Sequence, residues 1–209
     1  RVQYDFAKKY YVYLTMRADA SSVFSSSNKW GYFPSMALSW NLTNEDFLLN
    51  HTTISQLKLR ASYGAVGNQA IRPYQSLGIA QEYNYLFNVG GSNVSSSGYS
   101  PNYQLANPDL KWETTRTLNF GLDFGFWNGR LNGTAEYYLS NTEDLLIRRS
   151  IGGITGYTQM LDNLGKVENQ GIELSLNTVL IDTKDADVTF STNFSSNRNK
   201  IKELYGDLD

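Results

Sequence analysis

Six charged residues stand on segments of this sequence in which apolar and polar residues alternate. They are Lys58, Arg60, Arg116, Asp123, Arg130 and Glu136. Opposite charges on one face of a sheet pair across neighbouring strands or with a segment that packs against that face. We therefore expect these six residues to line a hydrated surface, where they form ion pairs or contact a passing solute.

Four tyrosines form a second set of candidate contacts. Tyr83, Tyr85, Tyr99 and Tyr103 lie in a long stretch rich in Asn, Gly and Ser, which includes NVGGSNVSSSGYSPNY at 88–103. A tyrosine ring has an apolar face and a polar tip, so it can stack on a sugar or contact a peptide. We expect these rings to lie in an exposed loop, either packed on each other or available to a ligand.

The sequence gives no support for catalysis. Its single histidine, His51, has no nucleophile at a spacing that indicates a pair, and the chain contains no cysteine. The acidic pairs Glu45–Asp46 and Glu143–Asp144 lie in connecting segments, where solvated charges are expected. No phosphate loop, zinc signature or calcium loop is present. We predict that the protein is not an enzyme and binds no cofactor and no metal.

Composition narrows the remaining classes. The net charge of -2 over 209 residues argues against a nucleic-acid partner, which would need a basic surface. Fifteen tyrosines and only 4 prolines indicate a β-rich protein. No secretion signal begins at Arg1, and no apolar run is long enough for a transmembrane helix. Because both ends resemble cuts, we expect the chain to be a piece of a longer protein.

A period of two residues dominates the sequence and predicts β-strands. The same alternation recurs at 10–20, 33–42, 56–66, 113–126, 171–179 and 187–197. In the clearest case, one face carries Leu118, Phe120, Leu122, Phe124 and Phe126, and the other carries Asn119, Gly121, Asp123 and Gly125. The pattern starts again after Asn128-Gly129, so at least seven strands are predicted. The best helical candidate is the short segment 44–49, with Asn44 as its N-cap.

The connections between these strands alternate in length. Asn128-Gly129 predicts a type I′ hairpin turn, and 181–187 is another short polar turn. In contrast, 67–112 and 143–168 are long. Short turns then fall at one end of the sheet and long loops at the other, provided that 67–112 contributes an even number of strands or none.

Two architectures fit one apolar and one polar face: a soluble sandwich and a membrane barrel. The segment 113–126 alternates for fourteen residues, whereas soluble strands have about 5–6 residues and membrane strands need about 9–11. Aromatic residues such as Tyr10, Trp40 and Trp127 stand near strand ends, and Trp112 is expected to anchor an interface with lipid. These features favour an all-β, antiparallel transmembrane barrel. The segment 200–209 is interpreted as a charged tail outside the strands, and a section of a larger barrel is favoured over a complete small one.

Four phrases resemble the C-terminal barrel of SusC/RagA-type TonB-dependent outer-membrane transporters of Bacteroidetes. They are KWGYFPSMALSWNLTNEDFL (29–48), LKLRASYGAVGNQAI (57–71), NPDLKWETTRTLNFGLDFGFWNGRLNGTAEYY (107–138) and NLGKVENQGIEL (163–174). They occur in the order of that family, and the resemblance covers most of 4–200. One departure is Ala20, where the family usually has glycine.

The resemblance implies that residues 1–209 are part of a barrel of about 22 strands, with long extracellular loops and short periplasmic turns. The plug domain, the TonB box and the last barrel strands would then lie outside this chain. The implied function is active import of oligosaccharides or peptides across the Gram-negative outer membrane. Implied partners are outer-membrane lipid, a SusD-like surface lipoprotein and, through the N-terminal part, TonB–ExbB–ExbD. The alternatives are a passive porin or barrel adhesin and, less favoured, a soluble carbohydrate-binding β-sandwich.

Overall fold

The computed structural model describes residues 1–49, 51–78, 80–101 and 104–204. Most of these residues form β-strands, joined by turns and by two short 3-10 helices. No helix in these ranges is long and apolar enough to cross a membrane. The strands are β1 (Val2–Phe6), β2 (Tyr10–Ala20), β3 (Trp30–Asn41), β4 (Ile54–Asn68), β5 (Ala80–Val89), β6 (Ser92–Pro101), β7 (Gln104–Leu105), β8 (Glu113–Phe126), β9 (Leu131–Glu143), β10 (Leu146–Ser150), β11 (Gln159–Asn163), β12 (Lys166–Asp182) and β13 (Asp187–Glu203).

Eight strands form one antiparallel sheet in the order β1-β2-β3-β4-β8-β9-β12-β13. β5 and β6 pair with each other, and β7, β10 and β11 form a small separate sheet. The described residues of 69–112 therefore add no strand to the main sheet, which satisfies the condition set by the sequence. We call the end that carries 7–9, 42–53, 127–130 and 183–186 the short-turn end, and the end that carries 21–29, 69–112 and 144–165 the long-loop end.

The predicted strands are confirmed, and several are longer than the sequence indicated. β2 and β8 have the predicted bounds, whereas β12 and β13 each extend to 17 residues. β13 continues to Glu203, so the prediction that 200–209 lies outside the strands is wrong for residues 200–203. Charged residues can continue a strand here because Lys200 pairs with Glu168 in the ladder with β12.

The helix predicted at 44–49 is not present. A 3-10 helix covers Leu42–Asn44, and an isolated turn follows it, in which the Leu49 N–H donates to the Glu45 carbonyl. Asn44 does not cap a helix, because its side-chain amide donates to the Lys8 carbonyl at 2.8 Å. The segment therefore forms only isolated turns of its own, and the Asn44 side chain connects it to the neighbouring turn at 7–9.

The register of the ladders separates the two faces of the main sheet. Leu59, Leu122, Ala135 and Leu174 form one row across β4, β8, β9 and β12. The next row, on the opposite face, contains Arg60, Gly121, Glu136 and Glu173. The apolar face is open: Phe120 is 49% exposed and Phe194 is 61% exposed. In the described part of the chain no second sheet covers it, which argues against the sandwich.

Aromatic residues mark both ends of the apolar face. At the short-turn end Tyr10 stacks on Trp40 with ring centroids 6.1 Å apart, and Trp127 lies in the hairpin turn. At the long-loop end Trp30 and Tyr32 project from the same face of β3 and are exposed. Between these ends, the apolar side of β8 runs from Leu118 to Phe126, nine residues, which matches the thickness of a bilayer core.

The hairpin turn between β8 and β9 is a type I′ turn with one further residue in the left-handed region. Asn128 and Gly129 have φ values of 56° and 84°, as a type I′ turn requires, and the Arg130 N–H donates to the Trp127 carbonyl. Trp127 also has a positive φ of 52°, and the last ladder pair is Phe126–Leu131. The Trp127 N–H donates to the Thr53 carbonyl at 2.7 Å, and this bond connects the turn to the chain just before β4.

A small buried core lies at the long-loop end. Its members are Phe24, Phe33, Leu110, Trp112 and Leu161. Trp112 packs against Phe24 and Phe33 with centroid distances of 5.4 and 5.5 Å. The prediction that Trp112 anchors an interface with lipid is therefore wrong, because the folded loops enclose its ring. Phe33 belongs to the polar face of β3, so this core joins the long loops to that face.

Candidate functional site

Arg60 is the centre of a charged cluster on the polar face of the main sheet. Its guanidinium donates to Asp123 through Nε at 3.0 Å and Nη2 at 2.7 Å, and Nη2 also donates to Glu136 at 2.6 Å. All three side chains are partly buried. One arginine thus connects three adjacent strands, β4, β8 and β9, and two carboxylates share its charge.

The local sequence explains how Arg60 reaches across β8. In the register Arg60 lies directly opposite Gly121, and Gly121 lies directly opposite Glu136. The guanidinium lies over the glycine, because a Cβ at Gly121 would be 2.9 Å from its Cζ and Nη2 atoms. The absence of a side chain at 121 therefore opens the path between Arg60 and Glu136.

Polar neighbours extend the cluster. Asn119 donates to the second oxygen of Glu136 at 3.3 Å, a contact that sequence reasoning missed. Lys58 lies opposite Asp123 in the ladder, and its Nζ lies 5.4 Å from the centre of the Tyr11 ring. A recess of about 460 Å³ adjoins Arg60, and its other polar lining residues are Gln56, Asp123, Asn132, Thr134, Ser175 and Asn177.

Two of the six charged candidates lie away from this cluster. Arg130 is in the β8–β9 turn, where its Nη2 donates to the Leu180 carbonyl at 3.4 Å. Arg116 lies on the apolar face, because it pairs with Ala65 and Asn141 and stands two residues before Leu118. It forms an ion pair with Glu143. The expectation that Arg116 shares a hydrated face with Arg60 is therefore wrong.

Asparagine side chains fix the loops above the polar face, and sequence reasoning did not single them out. Asn107 donates to the Leu161 carbonyl at 3.0 Å. Asn163 donates to the carbonyls of Lys111 and Asp144, both at 2.9 Å. These bonds join 104–112 to 144–163. The long-loop end of the polar face, which we call the mouth, is therefore bordered by loops that support one another.

Three of the four candidate tyrosines lie on the β5–β6 ribbon. Tyr83 and Tyr85 share one face, and the Tyr85 ring lies 6.3 Å from that of Phe87. Tyr99 pairs with Glu82 on the other face and is 77% exposed. Tyr103 lies outside the described residues. The ribbon therefore presents rings on both faces at the long-loop end.

Glu45, at the short-turn end, differs from the solvated turn charge that the sequence predicted. It accepts hydrogen bonds from Trp40 Nε1 at 2.9 Å, from the Tyr10 hydroxyl at 2.8 Å and from Lys9 Nζ at 3.0 Å. These bonds, the one from Trp40 above all, lower the pKa of the Glu45 carboxyl to about 2. Glu45 thereby joins the connection 42–53 to the turn before β2.

The described residues contain no group of three or more His, Cys, Asp or Glu side chains that could hold a metal ion. The Arg60 cluster consists of paired, partly exposed charges, an arrangement suited to a hydrated wall. Long antiparallel strands, an exposed apolar face and a polar face bordered by long loops define the class: this chain is a segment of a transmembrane β-barrel.

The chain belongs to the TonB dependent receptor-like β-barrel family, whose family model matches residues 1–206. TonB-dependent receptor barrels are outer-membrane proteins. The chain is 40% identical over 206 residues to TonB-dependent receptor P26 of Formosa agariphila, covering 99% of this chain and 20% of P26. It is 39% identical over 213 residues to TonB-dependent receptor SusC of Bacteroides thetaiotaomicron, covering 100% of this chain and 21% of SusC.

Solved structures agree with this assignment. The RagAB peptide importer in its closed-closed state matches with a TM-score of 0.87 and 33% identity, over 99% of this chain and 22% of that one. The siderophore receptor PirA of Pseudomonas aeruginosa matches with a TM-score of 0.62 at 17% identity, over 96% of this chain and 33% of that one, and shows the fold alone. The chain thus spans about a fifth of the curated relatives that it matches.

Proposed function

We propose that residues 1–209 form part of the barrel of a SusC-like transporter that imports oligosaccharides or peptides across the Gram-negative outer membrane. The observation that carries the proposal is the likeness to the RagAB peptide importer and to SusC over nearly the whole chain. The long-loop end then faces the cell exterior, and the short-turn end faces the periplasm. A plug domain and further barrel strands belong to the full-length protein.

Within this proposal the Arg60 cluster forms part of the hydrated wall of the lumen. Lys58, Arg60, Asp123 and Glu136 share the polar face, and the recess beside Arg60 supports this assignment. The pairing of Arg60 with two carboxylates neutralises most of the charge at the centre of the cluster, whereas Lys58 on the same face forms no ion pair among the described residues. The relatives are named as receptors, which supports a transport role and not a catalytic one.

The proposed partners follow from the relatives. A SusD-like surface lipoprotein would cover the long-loop end, and TonB–ExbB–ExbD would act through the N-terminal part of the full-length protein. RagAB, named as a peptide importer, supports a peptide cargo, and SusC is the relative that motivates an oligosaccharide cargo. The fragment would supply the wall and the mouth of the pathway.

The test is cargo recovery and uptake with the full-length transporter and its lipoprotein. Mass spectrometry of the purified complex should identify co-purified peptides or oligosaccharides, and cells should accumulate that cargo only when TonB is active. Uptake that continues without TonB would favour the passive porin. A full-length protein that binds no cargo and supports no uptake would contradict the proposal.

Tyr83 and Tyr85, on one face of the ribbon, are the proposed ligand contacts at the long-loop end. Tyr85→Ala removes a ring from the face shared with Tyr83, and we expect cargo to bind with about 1 kcal/mol less free energy. Tyr99→Ala, on the opposite face of the ribbon, is the matched control. Calorimetry with the recovered cargo measures both. Equal losses in both variants would contradict the assignment of the contacts to the face of Tyr83 and Tyr85.

A further inference from the structure

Charge begins abruptly on the apolar face at the long-loop end. One row of directly paired residues crosses five strands there: Ala65, Arg116, Asn141, Glu168 and Lys200. The next row on this face toward the short-turn end contains Tyr63, Leu118, Leu139, Gln170 and Arg198. Beyond that row, as far as the row of Phe126 and Leu131 at the short-turn end, the same face of these strands carries no charged residue.

We define the outer charged belt as the charged residues of this face at the long-loop end, together with Lys202, which reaches them from the β13 bulge. Its members are Arg116, Glu143, Lys166, Glu168, Arg198, Lys200, Lys202 and Glu203. Five are basic and three are acidic, so the belt has a positive surplus in a chain whose net charge is -2. A positive surplus at this place predicts an anionic neighbour.

Three ion pairs within the belt leave two of its five cations without an acidic partner among the described residues. Arg116 pairs with Glu143, Lys166 with Glu203 at 2.8 Å, and Lys202 with Glu168 at 2.9 Å. Among the described residues, neither Arg198 nor Lys200 forms an ion pair, and both are exposed. They stand two residues apart on β13, so their side chains project from the same face.

The height of these residues follows from the length of the apolar band. That band covers nine residues of β8, enough for the hydrocarbon core of a bilayer. Arg116 stands one step beyond Leu118, or about 7 Å further along the strand. On β13 itself, the same face carries no charged residue from Phe190 to Ser196, and Arg198 and Lys200 directly follow that stretch. Both cations therefore lie where the hydrocarbon meets the headgroups.

We propose that Arg198 and Lys200 bind the phosphate groups of lipid A in the outer leaflet. Arginine and lysine form short, charge-assisted bonds to phosphate oxygens. A following barrel strand would pair with the free edge of β13, beside the ladder, and would leave this face open to lipid. The inference rests on the membrane placement in the proposed function and is independent of the cargo.

The test compares lipid A retained by the full-length transporter after purification in detergent, measured by native mass spectrometry. Arg198→Gln with Lys200→Gln removes both cations. Lys8→Gln with Lys184→Gln is the matched control, because it removes two charges from the short-turn end. We expect lipid A affinity to fall roughly fivefold for each charge removed from the belt and to stay unchanged in the control.

Dephosphorylated lipid A identifies the group that is bound. It should bind the unmodified transporter as weakly as phosphorylated lipid A binds the Arg198/Lys200 variant. Equal retention in the two double variants, or equal binding of both lipid forms, would overturn the inference. Co-purified cargo and heat-resistant migration in gels show separately whether the barrel folds and functions, so a failure of the transport proposal is distinguishable.

Discussion

At the scale of single residues, Gly121 sets the geometry of the Arg60 cluster. Gly121→Ala would place a Cβ 2.9 Å from the Arg60 guanidinium, so the guanidinium must shift, and we expect its contact with Glu136 to weaken. We expect the free energy of unfolding to fall by about 1 kcal/mol, because the pair is partly exposed. Denaturant unfolding of the full-length barrel measures this change.

A second substitution shows whether the lost contact is the cause. Glu136→Gln should cost less in the Gly121→Ala background than in the unmodified protein. Gly64→Ala is the control, since it lies on the same face and its added Cβ would meet only the Ser35 Cβ, at 3.3 Å. If Glu136→Gln costs the same in both backgrounds, Gly121 does not act through Arg60.

Glu45 carries a pH dependence whose direction follows from its lowered pKa. The carboxylate is held by Trp40, Tyr10 and Lys9, and its folded pKa is about 2 against a usual 4.5. Its contribution to stability is therefore complete above about pH 4.5 and is lost as the pH falls toward 2. The difference in melting temperature between the unmodified protein and Glu45→Gln should shrink over that range.

Asp46→Asn is the control for this titration, because Asp46 is almost fully exposed and lies 3.6 Å from Lys9. Its melting temperature should track that of the unmodified protein across the same range. A constant difference between Glu45→Gln and the unmodified protein from pH 4.5 to 2 would contradict the role assigned to the carboxylate.

The sequence predicted some residues of the site well and others poorly, for physical reasons. Strict alternation from Leu118 separates Asp123 from the apolar residues, and it also places Arg116 on the apolar face. The expectation for Arg116 followed its charge and not its position, and this is why it was wrong. Contacts such as Asn119 with Glu136 depend on the register between strands, which a single segment does not reveal.

At the scale of elements, the core around Phe33 joins the long loops to the wall. Phe33→Ala removes the ring that packs against Trp112, and such a deletion costs about 3 kcal/mol or more at buried positions. We expect the loops 104–112 and 144–163 to loosen while the main sheet stays folded. Limited proteolysis of the full-length transporter would detect new cleavage in these loops.

Tyr32→Ala is the matched control for Phe33→Ala. Tyr32 is the preceding aromatic residue on β3, but it points to the other face and is exposed. Its loss should leave the cleavage pattern of the loops unchanged. Similar loop cleavage in both variants would show that the aromatic content of β3, and not the buried core, controls the loops.

Strands were easier to predict than loops because strand signals are local. The bounds of β2 and β8 follow from alternation alone. The position of Trp112 does not, since its indole donates to the carbonyl of Lys29, 83 residues earlier. Asn163 likewise fixes segments 52 residues apart. Loop packing of this kind depends on contacts between distant segments, which residue periodicity does not contain.

At the scale of the whole molecule, the two faces of one ladder must meet different surroundings. Leu122 and Ala135 pair on the apolar face, while Asp123 and Thr134 pair on the polar face. This arrangement is what the sequence predicted from its period of two, and the relatives agree with it. The substrate lies beyond such reasoning, because the loops and a plug would determine it together.

Leu122→Arg tests the membrane placement directly. Near the bilayer midplane an arginine on the lipid face should cost about 2–4 kcal/mol of folding free energy. Thr134→Arg, on the polar face one strand away, should cost much less, because water and the carboxylates of Asp123 and Glu136 surround that position. Folding of the full-length barrel into lipid vesicles, followed by heat-resistant migration, measures both. If Leu122→Arg costs as little as Thr134→Arg, the apolar row from Leu118 to Phe126 does not lie in lipid and the membrane placement is wrong.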